Sequence, residues 1–259
     1  MLTNQEIWTI ALQQSAYDSG CLPEDFLKAE NVVTISQKHP YARKYLKLPL
    51  SCDLVSYGTN IVAQASEEIA PLVRQYIDRY PVEHCFETPN LHILMDALRP
   101  FDLNICFMAE YFLPDMDRLL PLACSYETRL LTPVDFSELY LPEWSNALCE
   151  KRKQLDKIAI GAYDSGKLIA LAGASADCDT MWQIGIDVLT EYRRQGIASS
   201  LTSTLACEIL KRGKVPFYCC AWSNIRSARN AIKSGFRPAW VQITAKPREF
   251  IDNMNNQLE

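Results

Sequence analysis

The sequence predicts an α/β protein in which helices flank a mixed sheet. Three observations carry that prediction. Helix-like and strand-like apolar patterns alternate along the chain, a glycine-containing turn joins two strands into a hairpin in each half, and several amphipathic segments stop at glycine. In the first half, Asn4 to Tyr17 places Ile7, Ile10, Ala11 and Ala16 at helical spacing and ends at Gly20. Leu54-Val55-Ser56-Tyr57 and Ile61-Val62-Ala63-Gln64 flank Gly58-Thr59-Asn60, a hairpin pattern. Ser66 is placed to cap a helix through Arg79, and Thr88-Pro89 opens another through Leu98, since proline suits a first turn whose N–H has no helical partner. Leu103 to Phe112 is a predicted strand. Leu113 through Pro121, broken by proline and charge, is the predicted linker between residues 1–125 and 126–259.

In the second half, Tyr126 to Leu131 reads as a strand, and Pro133 to about Leu155 as a helix broken near Pro142. Lys157 to Tyr163 and Lys167 to Ala174 flank the turn Asp164-Ser165-Gly166 and predict an antiparallel hairpin. Trp182 to Leu189 is a further strand. The next helix carries the stripe Ile197, Leu201, Leu205, Ile209 and closes on Lys211-Arg212-Gly213, the basic residues and glycine expected at a C-terminus. Val215 to Trp222 is a strand, a helix follows from Ser223/Asn224 with Ile225, Ala228 and Ile232 on one face, and Gly235 stops it before a last strand, Phe236 to Thr244. The order is β-α-β-β-β-α-β-α-β.

Composition sets the limits. With 259 residues, 48% apolar and 22% charged, the chain is long enough for two lobes and excludes disorder and low complexity. A formal net charge of −5 argues against a nucleic-acid partner, which would need a basic surface. That charge is unevenly divided: residues 1–125 hold 9 basic and 16 acidic side chains, residues 126–259 hold 17 and 15, and Lys211, Arg212, Lys214, Arg226, Arg229 and Lys233 near the helices of the second half are expected to help hold an anion. The N-terminus lacks a basic stretch followed by an apolar one and no long apolar run occurs, so neither a signal peptide nor a membrane span is expected. The 10 cysteines show no CxxC and no Cys/His zinc spacing, which predicts reduced thiols in a cytoplasmic protein and no metal. A nucleophilic role for Cys219-Cys220 is disfavoured, because His39, His84 and His92 all lie far upstream and a catalytic thiol needs a base.

The segment with chemical content is Ile186-Asp187-Val188-Leu189-Thr190-Glu191-Tyr192-Arg193-Arg194-Gln195-Gly196-Ile197-Ala198-Ser199. A strand runs through a basic turn into a helix whose first residues are small. Unpartnered amides, the positive end of the helix dipole and two arginines together suit a pyrophosphate. Residues 126–240 resemble the GNAT superfamily of N-acetyltransferases: Ile186-x-Val188 on a strand, Arg193-x-x-Gly196-x-Ala198 opening a helix, the strand Pro216 to Trp222, Asn224 opening a second helix, and Gly235-Phe236 closing it.

The resemblance implies a mostly antiparallel sheet and acetyl-CoA as cosubstrate. It implies pantetheine on the backbone of Ile186, Asp187 and Val188, and pyrophosphate on Arg193, Arg194, Gln195, Gly196, Ile197, Ala198 and Ser199. Asn224 and the neighbouring Ser227 are expected at the pantetheine amide, with simple N-capping as the other role open to Asn224. It also implies direct attack of a neutral amine on the thioester, with the Val188 N–H polarising the carbonyl oxygen. Two positions depart from the family. Its tyrosine acid falls at Ala231 and its frequent glutamate at Trp182. Asp187, beside the acyl site in sequence, and Asp177 and Asp179 in the preceding loop are then the substitute bases, and Tyr218 and Tyr163 are candidate hydroxyls. The expected acceptor is a small amine, the acidic first half favouring a cationic one; a non-catalytic acyl-CoA-binding module is the alternative. Residues 1–125, expected as an α/β domain and a degenerate copy of the same fold, carry Ala65-Ser66-Glu67-Glu68 where a diphosphate would need donors. They are expected to complete the acceptor pocket or to serve as a packing or homodimer surface.

Overall fold

The computed structural model describes residues 2–256. These fall into two compact units, one joining the residues up to Ala11 with Tyr111–Pro238, the other joining Leu12–Glu110 with the residues from Ala239 on. The division differs from a cut at 125/126. Both β4 (Leu103–Pro114) and β10 (Phe236–Pro247) contain a unit boundary, as does α1 (Asn4–Ser19). The predicted linker begins inside β4, and its next residues are tied down: Met116 N–H donates to Asn4 Oδ1 (2.9 Å) and Asn4 Nδ2 donates to Asp117 (3.1 Å).

In the first unit the strand order is β4-β9-β8-β7-β6-β5. Here β5 is Glu127–Leu131, β6 Asp156–Asp164, β7 Lys167–Ser175, β8 Met181–Val188 and β9 Val215–Ala221. Neighbours from β5 to β8 are antiparallel, whereas β8 and β9 run parallel, as a helical crossover requires. That crossover is α4 (Ile197–Lys211), whose predicted stripe, Ile197, Leu201, Leu205 and Ile209, is buried against one sheet face with Ile160, Ile169, Ile184 and Tyr218. The other face is covered by Phe136, Trp144, Ala147 and Leu148 packed on Ala159 and Leu171. The β6–β7 turn is two residues, not three, because Asp164 still pairs with Lys167; Ser165 (φ 50°) and Gly166 (φ 84°) take the two left-handed positions of a tight hairpin.

The expected helix over 133–155 does not form. Only two short 3₁₀ turns occur there, Pro142–Trp144 and Glu150–Leu155. Gly173 and Gly185 are cross-strand partners, and a Cβ on either would lie 1.9 and 1.8 Å from the Ala147 and Asn146 carbonyl oxygens. Bare backbone therefore lies flat on bare backbone, which a helix with its ring of side chains cannot do.

In the second unit the order is β1-β3-β2-β10-β4, with β1 (Val32–Ile35) parallel to β3 (Val62–Ala65) and β2 (Cys52–Ser56) antiparallel to both β3 and β10. The Gly58 hairpin and α3 (Thr88–Leu98) follow the sequence pattern. The helix expected from Ser66 starts later, as α2 (Ala70–Ile77): the Ser66 carbonyl accepts from Ile69 and Ala70 in a turn, and proline stands in the helix's first turn. Strand β1 and α6 (Arg248–Asn256) have no counterpart in the sequence reading.

Gln64, Asp53 and Thr244 form one buried cross-strand row, with Asp53 accepting from Gln242 and Thr244 while Arg43 pairs with Asp18. Burial raises the Asp53 pKa above the usual carboxylate range, against the opposing pull of these donors and Arg43. A carboxyl whose folded pKa exceeds its unfolded value stabilises below the unfolded value, about pH 4, and loses that contribution as pH rises through the folded one. Denaturant titrations between pH 4 and 8 are expected to show the natural protein losing stability relative to Asp53→Asn as pH rises. Parallel curves would remove Asp53 from this role.

Candidate functional site

The β8–β9 ladder runs from Met181↔Val215 to Ile184↔Tyr218 and then stops, although both strands continue. On its other edge β8 stays paired to β7 as far as Val188↔Ala170. The strands therefore splay at Tyr218. Antiparallel residues alternate between bonding the neighbour and facing away from it. Leu189 N–H donates to Ile169 O (3.0 Å), so Leu189 and, two residues back, Asp187 use their backbone on β7. Ile186 and Val188 turn theirs toward the gap. Of the three backbone positions read from sequence, Ile186 and Val188 face the gap and Asp187 does not. Arg193 Nε occupies the Val188 carbonyl (3.1 Å), leaving the Val188 N–H directed into the opening.

Beyond Val188 the chain makes a 3₁₀ turn, Thr190–Tyr192, and enters α4 through Arg194 (φ 66°) and Gly196 (φ 83°), both left-handed. Alternating left- and right-handed residues curl successive amides toward one point, an anion-binding concavity. Gly196 is the N-cap and supplies no side chain, so no side-chain cap competes for the first amides of α4. Ser199 Oγ donates to the Gly196 carbonyl (2.9 Å), which ties the first turn of α4 to its cap. The turn is braced from outside: Tyr126 Oη bonds Gln195 (2.7 Å), and Tyr192 Oη donates to Asp164 (2.9 Å).

Helix α5 (Ile225–Lys233) supplies the other wall. Asn224 caps it, its Oδ1 accepting from Ser227 N–H (3.1 Å), which leaves the amide nitrogen for other work. Ser227 Oγ and Tyr218 Oη are 2.7 Å apart, and burial raises the Tyr218 pKa, so this phenol is protonated at neutral pH. Ala231, the position of the expected tyrosine, is buried one turn beyond Ser227 on the same helix face. Trp182 packs against the α4 core.

Charge around the turn is narrower than the sequence suggested. Lys211 and Arg212 bond Glu208, and Lys214 bonds the Asp179 carbonyl. They sit at the C-terminal end of α4, about 22 Å from its start for a 15-residue helix, and cannot assist the cradle. Lys233 can. Its Nζ lies 3.9 Å from the point a Cβ on Gly196 would occupy, and it makes no ion pair with a described residue. Lys233→Ala is expected to weaken binding of a phosphate-bearing ligand three- to tenfold, about 1 kcal/mol, with a flatter salt dependence. Titration at two salt concentrations checks this; unchanged affinity at low salt would exclude a contact.

The remaining candidates separate cleanly. Asp187 Oδ2 accepts from the Asn146 and Ala147 amides (2.9 Å each), and Oδ1 from Asn146 Nδ2 (2.6 Å). Asp177 is fully buried and held by Ser175 and Arg152, and Asp179 lies two residues on, so both lie toward the Met181 end of β8, away from the splay. Tyr163 is on β6, two strands from the gap, under the Arg129 guanidinium. Cys219 Sγ accepts from Gln183 Nε2 (3.0 Å). Among the described residues no group of His, Cys, Asp and Glu is placed to hold a metal, and no helix is long and apolar enough to cross a membrane.

Residues 124–239 match the family model for GNAT acetyltransferases. Solved structures similar to the chain include a GNAT-family acetyltransferase from Novosphingobium aromaticivorans (18% identity, TM-score 0.45, covering 56% of this chain and 66% of that one). Others are a GCN5-related N-acetyltransferase-like protein from Streptococcus suis (18%, 0.43, 61% and 69%) and a GCN5-related N-acetyltransferase from Kribbella flavida (15%, 0.46, 59% and 62%). The match spans less than two thirds of the first and third of these proteins. No protein of curated function matches the sequence. The matched segment ends within β10, and all the site residues above lie inside it.

Proposed function

We propose that the chain is an N-acyltransferase that moves an acetyl group from acetyl-CoA to the amine of a small molecule by direct attack. The observation that carries this reading is the continuity of the site: the open edge of β8 at Ile186 and Val188 leads through one turn into the uncapped start of α4. Pantetheine can complete the interrupted ladder as a third strand would, bonding Ile186 and the Asn224 amide. The pyrophosphate then reaches the amides of Arg194 through Ser199, with Lys233 above them. The thioester oxygen meets the Val188 N–H, which stabilises the charge that develops as the amine attacks.

The amine must arrive deprotonated, at a cost set by an ordinary pKa near 10.4, so turnover is expected to rise with pH through the neutral range. The thiolate can leave unaided, because its conjugate acid has a pKa of only about 8.5. The Tyr218–Ser227 hydroxyl pair is a proton source on this wall. One observation favours a non-catalytic acyl-CoA-binding module: where the family places tyrosine and glutamate, Ala231 is buried in the core and Trp182 packs against it. Free-thiol release from acetyl-CoA across polyamines, amino acids and aminoglycosides separates the readings. Turnover with at least one amine is expected; tight acetyl-CoA binding without turnover on any would make this a binding module.

A further inference from the structure

Resting on the proposed acyl transfer, we infer that Asp187 is the acceptor-side specificity residue: it holds the wall of the acceptor site and selects amines that carry a second positive charge. Side chains alternate across a strand. Ile184, Ile186 and Val188 point to the face covered by α4, where the cradle lies, and Gly185 and Asp187 point to the opposite face. A cosubstrate held by α4 and α5 reaches the splay from the first face. An amine attacking the same thioester has the second face to approach from.

That second face is built around Asp187. Its carboxylate gathers two consecutive backbone amides, Asn146 and Ala147, and the Asn146 side chain. The glycines at 173 and 185 remove the side chains that would hold this backbone off the sheet. The result pins Trp144–Leu148 beside the opening at Val188. All three donors are neutral. No lysine or arginine among the described residues pairs with Asp187, and the carboxylate is half-exposed, so its charge remains uncompensated at the entrance. An ammonium on the far end of a diamine would supply the missing cation. A neutral or anionic tail would not.

Two variants divide the roles. Asp187→Asn keeps an oxygen for the backbone amides while removing the charge; Asp187→Ala removes both. The probes are a diamine and a monoamine of equal length with a neutral tail. For Asp187→Asn, kcat/KM for the diamine is expected to fall about tenfold, mostly in KM, with the monoamine within twofold and the acidic limb of its pH profile retained. For Asp187→Ala both amines are expected to suffer, and the Asn146 and Ala147 amides to exchange faster with solvent. Equal losses on both amines in Asp187→Asn would overturn the selection. Disappearance of the acidic limb would make Asp187 the base instead, and unchanged amide exchange in Asp187→Ala would overturn the anchor. Acetyl-CoA affinity measured without acceptor is expected to be unaltered in both variants. If the natural protein fails to bind acetyl-CoA, the proposed function fails, while amide exchange still judges the anchor.

Discussion

Gly196→Glu is expected to abolish acetyl-CoA binding, weakening it at least a hundredfold. Two effects act together. Gly196 sits at φ 83°, where a side chain costs about 1 kcal/mol or more, and the relief available is to straighten the turn that aims the amides. The new carboxylate would then stand at the positive end of α4, where the pyrophosphate is proposed to lie, and like charges repel. It would also draw Lys233 Nζ, now 3.9 Å from the Cβ position, into an ion pair. Calorimetric titration with acetyl-CoA, with circular dichroism to show the fold is kept, reads this directly. Retained affinity within threefold would remove the turn from the site.

Gly235→Ala is expected to destabilise the first unit by about 3 kcal/mol, combining left-handed backbone cost with overpacking. At φ 89° the residue is already outside the range side chains favour, and a Cβ there would lie 2.7 Å from Leu119 Cα and 3.1 Å from its nitrogen. Backbone cannot yield as a flexible side chain would. The Gly235 carbonyl also accepts from Asp115 N–H (2.9 Å), fixing the strand that follows α5 against the segment after β4. The glycine of the Gly-Phe pair is thus a contact requirement, while Phe236 fills the core beside Tyr218. Thermal unfolding should show a drop of several degrees with acetyl-CoA affinity at low temperature little changed; an unchanged midpoint would mean that Leu119 can move away freely.

How much of this was legible in the sequence depends on the range of the interaction. The hairpin at Ser165-Gly166, the α4 stripe, Asn224 and Gly235 are local signals, and each marks its element correctly. The spacing of Phe136, Leu139, Tyr140, Trp144 and Leu148 imitates a helix, yet that segment is shaped by Gly173 and Gly185, which meet only through strand register. Asp187 was read as a base for its place beside Val188; its donors lie forty residues upstream, beyond any local pattern. The basic residues after Ile209 looked close to the cradle because they share its helix, and helix length sets them apart. Lys233 belongs to the same basic set, and the packing of two helices is what brings it close to Gly196. The absence of pairing past Tyr218 is likewise a property of two strands at once.

The open edge of β8 and the turn after it are proposed to receive acetyl-CoA. Amide hydrogen exchange of the natural protein with and without acetyl-CoA tests it most directly. Slowed exchange concentrated at Ile186, Val188, residues 194–199 and the start of α5 is the predicted result. Binding accompanied by protection elsewhere, with these amides exchanging as before, would contradict it.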